Sequence, residues 1–419
     1  MPQIQLTARA TSKILAVLTA AVLFKLGYLI RSFLSTIGHP SVVGVLLLTY
    51  LLSFALLYAA LADVDLEYWN SRLAAAIVGL LLLMFALTYT SHLAKSYIGT
   101  DAMLFTRYAV DLVLSGQNPY THSMEAAFQQ FPIDKRFVTY RIDGEIVTTF
   151  SYPALAFLAF VPQALLGIPN LNLTTVTVLL ATLLFLVYES PNELVLAPFV
   201  LMFVDPNLTL FSFGGVFDIL WVFALLFGMK YWTQGRLRIA AICVGLAFAV
   251  KQIPWFVGPF LAIWLYAESE TYAGFADRAK TCIGYGLGAF LLPNLPFIVS
   301  SPVAWLKSVV TPIAGSAPMV KQGIGLTLIT SSGFLQLPKS FYTLLLLGVL
   351  CIALVVYFLY FERLRWVAWI VPMAILWVNH RSLQNYFIFF VPIAYYAVLC
   401  HLRTENQLVT RNRTDVRSE

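Results

Sequence analysis

Long apolar runs recur along this chain, and they decide which folds are open to it. They cover residues 14–35, 41–62, 73–94, 151–168, 173–188, 194–212, 216–232, 238–266, 281–300, 342–361, 366–379 and 385–402. A helix needs about 20 apolar residues to cross a hydrocarbon core. Runs such as Leu80-Leu81-Leu82-Leu83-Met84 do not alternate, which argues against the closed β-barrel. The barrel is the only other way to satisfy every backbone group in lipid. Composition agrees. Of 419 residues, 60% are hydrophobic and 11% charged, against roughly 25% charged in soluble domains. Lipid must be the solvent for most of the surface. The expectation is an all-α, polytopic transmembrane helical bundle of about 10–13 spans, the shorter blocks being broken or re-entrant.

Arg9 and Lys13 precede the first run, as in a secretory signal. That run continues through Lys25 and Tyr28 towards Leu34 without a small-residue cleavage site, so an uncleaved first helix is expected. Cys243, Cys282, Cys351 and Cys400 all lie inside apolar blocks, without metal-type spacing, and read as packing residues. The net charge of +6 suits basic loops of a membrane protein. No nucleic-acid partner is implied.

Lys and Arg favour short cytoplasmic loops. The basic segments are the N-terminus, Lys230 to Arg238, Glu362-Arg363-Leu364-Arg365, and the tail with Arg403, Arg411, Arg413 and Arg417. Both termini are therefore expected in the cytoplasm of a multi-pass protein, with the plasma membrane as its expected location. Three spans carry the chain outside by residue 95, so 95–150 becomes a large external loop. The segments 214–218, 301–340 and 379–385 fall on that same face. Block 238–266 then needs two crossings, turning near Lys251-Gln252-Ile253-Pro254. Three apolar blocks lie between residues 150 and 214, where sidedness requires an even number of crossings. Segment 194–212, with Pro198 and Asp205-Pro206-Asn207, is therefore expected not to cross fully.

The external loop holds the most informative residues. Gly99-Thr100-Asp101 opens it, and 102–115 has a helical pattern: Met103, Leu104, Ala109, Leu112 and Val113 are apolar, with Arg107 and Asp111 between. This suits a helix lying at the membrane interface. Gly116 is placed to end it, and Asn118-Pro119 to make the following turn before Tyr120. Asp101 has two readings, an N-cap of that helix or a carboxylate held at a membrane cavity as a general base. The two are compatible only if one oxygen stays free.

Gly-x-Asp, an amphipathic helix, then Gly116-Gln117-Asn118-Pro119-Tyr120 resembles the first external loop of GT-C membrane glycosyltransferases. The likeness is nearest to the polyprenyl-phosphate-mannose-dependent mannosyltransferases. Tyr152-Pro153, Gly214-Gly215-Val216-Phe217-Asp218, Gly235-Arg236 and Gly245 through Lys251 to Pro254 resemble later family segments. The likeness spans roughly residues 97–300. Two features depart from the pattern: three helices rather than one before the loop, and Gly214-Gly215 where many relatives carry Gly-Gln.

The resemblance implies an inverting hexosyltransferase. It would move a sugar, mannose foremost, from a polyprenyl-phosphate donor to a lipid-linked or glycan acceptor on the extracytoplasmic face. Asp101 would be the base. Asp218 would be a second acidic contact, and Lys251 and Arg381 phosphate ligands. His380, Lys321 and Lys307 are further cations on the same face, and Asn118, Tyr120 and Arg107 further substrate contacts. An ionisable residue at membrane depth usually has a function, and Lys251, inside an apolar block, fits that best; its alternative is snorkelling to the interface. The alternative for Arg381 is a solvated loop charge, and for the loop that Lys307 and Lys321 flank a plain connector. No tightly bound cofactor is implied, and a divalent metal is not indicated.

Other signals are weaker. Asp63-Val64-Asp65 spells a metal-binding pattern of nucleotide-sugar transferases, but in an expected inner loop. Asp143-Gly144-Glu145 reads as a turn, and Asp134, Lys135 and Arg136 as solvated charges. His92 and His122 lack partners at zinc spacing. No phosphate-binding Gly-Lys-Ser/Thr loop is present. The chain divides into N-terminal spans (1–94), the external loop (95–150), a GT-C-like membrane module (151–300), a second external loop (301–341) and C-terminal spans with a cytoplasmic tail (342–419). The rival class is a membrane transporter or lipid flippase with a polar cavity, although no paired internal repeat supports it. A non-catalytic envelope scaffold is a third class, and it predicts that Asp101 tolerates replacement.

Overall fold

A computed structural model describes residues 7–37, 41–62, 64, 66–92, 98–314, 318–321 and 323–415. Asp63, Asp65 and Gly315 lie outside the described residues, as does the side chain of His92. Among the described residues all regular structure is helical, and two isolated β-bridges join Tyr140 to Ile146 and Arg141 to Val320. Among the described residues, seven helices are long and apolar enough to cross a membrane, or eight if one bent pair is counted as a span. They are compatible with a multi-pass membrane protein.

This is fewer than the apolar blocks suggested. Leu155–Leu165, Ile219–Thr233, Leu237–Val250 and Ile253–Ala267 are apolar but have only 10–17 residues. At 1.5 Å per residue, 14 residues reach about 21 Å, short of a hydrocarbon core of about 30 Å. Block 366–379 is shorter still, split into a 3-10 turn Arg365–Trp369 and the helix Pro372–Trp377.

The chain forms two compact units. The first comprises residues 1–97 and 167–213, the second 98–166 and 214–419. In the first unit, Ala8–Ile37 packs on Ser41–Leu61, with Phe24 set edge-on to Phe54 at 5.3 Å. Asn192–Phe203 and Pro206–Gly215 are bent by 69°. The break falls at Asp205-Pro206, inside the segment expected not to cross fully. A proline cannot donate to the preceding turn, and Asp205 instead caps the new helix through Asn207 N–H at 2.8 Å. Lys25 Nζ donates to the Val204 carbonyl at 2.7 Å, satisfying an acceptor that the break leaves open.

In the second unit, Ile219–Thr233 and Leu237–Val250 form a helical hairpin turned at Gly235, whose φ is +69°. Leu237–Val250 also packs along Tyr272–Ser300. Arg238 lies over Tyr285 and Gly245 lies against Gly286, so these two helices run parallel. Parallel neighbours require a return leg between them, and Gly258–Ala267 supplies it. The chain therefore turns within 251–257, a 3-10 segment containing Pro254.

The helix Asp101–Leu114 corrects one expectation. Ten of its fourteen residues are buried in the protein, so it is a core element and not a helix lying in headgroups. Its end is as anticipated. Gly116 has φ +74°, and Gln117 N–H returns to the Leu112 carbonyl at 2.8 Å. Asn118 then accepts from Tyr120 N–H at 3.0 Å and opens the turn Pro119–Thr121. Gly144, at φ +88°, turns the 143–145 loop.

Candidate functional site

The Gly-x-Asp segment is strapped to the glycine pair that precedes Asp218. Gly99 N–H donates to the Gly214 carbonyl at 2.8 Å, and the Thr100 hydroxyl donates to the Gly215 carbonyl. Gly214 has φ +148°, a backbone that a side chain would disfavour. Two segments 115 residues apart thus place Asp101 and Asp218 in one neighbourhood.

Asp101 does not cap its helix. Thr100 is the N-cap residue, without a side-chain cap bond, and Asp101 is the first helical residue. Its carboxylate is buried and accepts from Thr139 N–H at 2.7 Å. Burial raises its pKa above the ordinary 3.8, and the Thr139 bonds, the charge of Arg381 and Ala102 N–H partly offset this. A carboxylate at the positive end of a helix, with raised basicity and a neighbouring guanidinium, suits proton transfer.

Asp218 and Lys251 meet as a buried ion pair. Lys251 Nζ lies 2.7 Å from Oδ2 and 2.9 Å from Oδ1. Asp218 also accepts from Trp221 Nε1 at 3.0 Å and Asn385 Nδ2 at 3.2 Å. The Lys251 ammonium sits 5.0 Å from the Tyr386 ring centre, 5.4 Å from Tyr152 and 5.5 Å from Phe217. Such rings stabilise a desolvated cation. This changes the expected role of Lys251. It is a partner of Asp218 first, and two of its three N–H groups go there. A snorkelling lysine is excluded, since Lys251 is 3% exposed.

Lys251 and Arg381 nevertheless line one small cleft, with Tyr152, Gln252, Asn379 and Tyr386 as further polar walls and Ile253, Phe256 and Leu376 as apolar ones. Gln252 locks the floor by donating to the Ser151 carbonyl at 2.8 Å and the Val309 carbonyl at 2.7 Å. Arg381 interacts electrostatically with Tyr386, Tyr152 and Asp101, which ties the base candidate to one residue of the cleft wall. The Arg381 Nε is buried without a hydrogen-bond partner, as are His380 Nδ1, Ser382 Oγ and Thr327 Oγ1. Buried polar groups are normally paired, so this cluster stands out.

The segment around it is held by close backbone contacts. Ile324 N–H donates to the Ser382 carbonyl at 2.7 Å and Leu326 N–H to the Trp377 carbonyl at 2.9 Å. A Cβ on Gly325 would strike the Trp377 carbonyl. On the other side, Lys321 N–H donates to the Tyr140 carbonyl at 2.8 Å, next to Thr139. Thr139 thus joins Asp101 to the 139–141 segment that pairs with Val320 and Lys321, and Ile324 joins the 324–326 segment to Ser382, next to Arg381.

The other candidates divide. His380 is buried beside the cleft, and burial with the charges of Lys339 and Arg381 pushes its pKa down to about 3. That shift disfavours the cationic form that a phosphate contact would need. Lys321 and Lys307 are exposed and do not line the cleft. Asn118 and Tyr120 brace the fold. Asn118 Nδ2 donates to Ser300 Oγ at 3.2 Å, and the buried Tyr120 hydroxyl donates to the Tyr152 carbonyl at 2.8 Å. Arg107 pairs with Asp111 at 3.1 Å, one helical turn on. Asp134 pairs with Arg136, in keeping with a surface loop. Thr139, Asn385, Gln252, Thr327 and Ser382 were not singled out from the sequence. Among the described residues, no group of three His, Cys, Asp or Glu is placed to hold a metal ion. Models of known families, curated proteins and solved structures contain no match to this chain.

Proposed function

We propose that this protein is an inverting membrane glycosyltransferase of the GT-C type, taking a sugar, mannose foremost, from a polyprenyl-phosphate donor. The observation that carries the reading is Asp101, a buried carboxylate of raised pKa that feels the charge of Arg381, a residue of the cleft wall. The acceptor hydroxyl attacks the anomeric carbon and gives its proton to Asp101. The bond from that carbon to the phosphate oxygen breaks, and both electrons leave with the lipid phosphate. Arg381, whose Nε has no protein partner, stabilises that phosphate. The third N–H of Lys251 is available for the same work, while Asp218 holds the ammonium in place. Tyr386 and Tyr152 shape the pocket around both cations.

The test is transfer of labelled sugar from a polyprenyl-phosphate mannose in membranes carrying wild type or Asp101→Asn. Label in a new product only with wild type supports the reading. Equal transfer by both removes Asp101 from the chemistry.

A carrier is the second reading. The bent helix pair of the first unit and the buried Asp218–Lys251 pair of the second are features that transporters also use. Movement of a lipid-linked sugar across reconstituted vesicles without any covalent product would select it.

A further inference from the structure

The second unit holds another cluster of unmet polar groups, far from the cleft. Trp264 Nε1, Trp369 Nε1 and Arg365 Nε are all buried without a hydrogen-bond partner. The rings of Trp264 and Trp369 each lie 6.1 Å from the ring of Trp232, and the Arg365 guanidinium lies 5.8 Å from the Trp264 ring. The three groups therefore share one small region. It sits towards the end of the Gly258–Ala267 helix remote from Lys251, with Trp264 about 9 Å along that helix.

All three groups are donors. An indole N–H and a guanidinium N–H cannot accept, so none can satisfy another. The remaining Arg365 nitrogens are held by Glu268 at 3.7 Å and Glu362 at 3.4 Å, which fixes the guanidinium with Nε turned away from the acids. Glu268 also takes Arg278 at 3.4 Å. Arg236, Arg238 and Arg363 add exposed positive charge at the same end of the hairpin and loop. Trp264 and Trp369 are buried, and the cluster reaches the surface through Arg365, whose side chain keeps 25% exposure.

A ligand that completes this cluster must offer acceptors only and must tolerate an apolar, indole-lined wall. We infer that it is a phosphate-oxygen site for the headgroup of an anionic phospholipid, seated between Arg365, Trp264 and Trp369. Indoles favour the level of lipid headgroups, and basic surfaces at that level attract anionic lipid. The site is independent of the cleft and of the proposed transfer reaction.

The test uses the full-length protein in detergent, titrated by calorimetry with dihexanoylphosphatidylglycerol and, separately, with inorganic phosphate. Trp264→Phe with Trp369→Phe keeps both rings and removes both N–H groups. Arg365→Lys keeps the charge and removes Nε. Wild type is expected to bind the lipid saturably, and the double variant about tenfold more weakly. Saturable binding of inorganic phosphate but not of the lipid keeps the phosphate-oxygen ligand and makes its source a soluble anion. Lipid binding unchanged in both variants overturns the inference. So does the absence of saturable binding of either probe by wild type, a result that does not depend on the variants folding.

Discussion

Lys251 gives two of its ammonium hydrogens to the two oxygens of Asp218, at 2.9 and 2.7 Å, in a site where the two side chains are 4% and 0% exposed. Removing one member of such a pair leaves a buried charge, which costs about 3–5 kcal/mol. Asp218→Asn and Lys251→Met should each lower the melting temperature in detergent strongly. The double variant should recover much of the loss, because no charge is then stranded. Additive losses in the cycle would show that the pair is not coupled.

Asp101 carries a prediction with two signs. Its folded pKa is raised by burial above the ordinary 3.8. A raised value means that the folded chain holds this proton more firmly than the unfolded one. The resulting stabilisation is complete below the ordinary value and is lost as pH rises through the folded value. Asp101→Asn should therefore raise stability at neutral pH, while lowering sugar transfer by about 10²–10⁴-fold if Asp101 is the base. The acid limb of the activity profile should lie above the ordinary carboxylate range. A variant that is both less stable and fully active would sink this account.

What the sequence made legible was local or repetitive. Gly116, Asn118-Pro119 and Gly144 act within a few residues of themselves, so turn chemistry alone locates them. Apolar blocks announce helices for the same reason. Block length was less informative: sidedness located the turn near Lys251 within the run 238–266, but the two helices it separates are shorter than full spans. Pairings were out of reach. Asp218 and Lys251 were both singled out, yet nothing in the chain says that they bond to each other across 33 residues. The cap reading of Asp101, one of the two the sequence allowed, rested on Gly-Thr-Asp preceding a helical pattern, but the helix starts one residue earlier than that reading needs. Thr139 had no signal at all, since its contribution is a backbone N–H that any residue would supply.

His380 is expected to act as an acid-side liability. Burial and the charges of Lys339 and Arg381 hold it near 3, below the ordinary 6.5. The unfolded chain then binds this proton first as pH falls. The stability contributed by neutral His380 is present above about 6.5 and is lost progressively towards pH 3. His380→Gln should flatten the decline of melting temperature over that window. An unchanged pH profile would mean that the imidazole is not held neutral by its surroundings.

Gly245 and Gly288 lie on helices that pack together, and they should respond oppositely to a single methyl group. A Cβ on Gly245 would strike the Gly286 carbonyl of the facing helix, an atom that cannot swing aside. A Cβ on Gly288 would meet nothing within 4 Å. Gly245→Ala should therefore force the Leu237–Val250 and Tyr272–Ser300 helices apart at a cost of about 1–3 kcal/mol. Because Leu237–Val250 ends at Lys251, the same displacement should loosen the Asp218 pair and lower activity. Gly288→Ala removes backbone freedom from the unfolded chain without a clash, and should be neutral or stabilising by up to about 1 kcal/mol. Melting curves of the two variants in one detergent decide the matter. If Gly245→Ala melts no lower than Gly288→Ala, the close approach of the two helices is not what sets the position of Lys251.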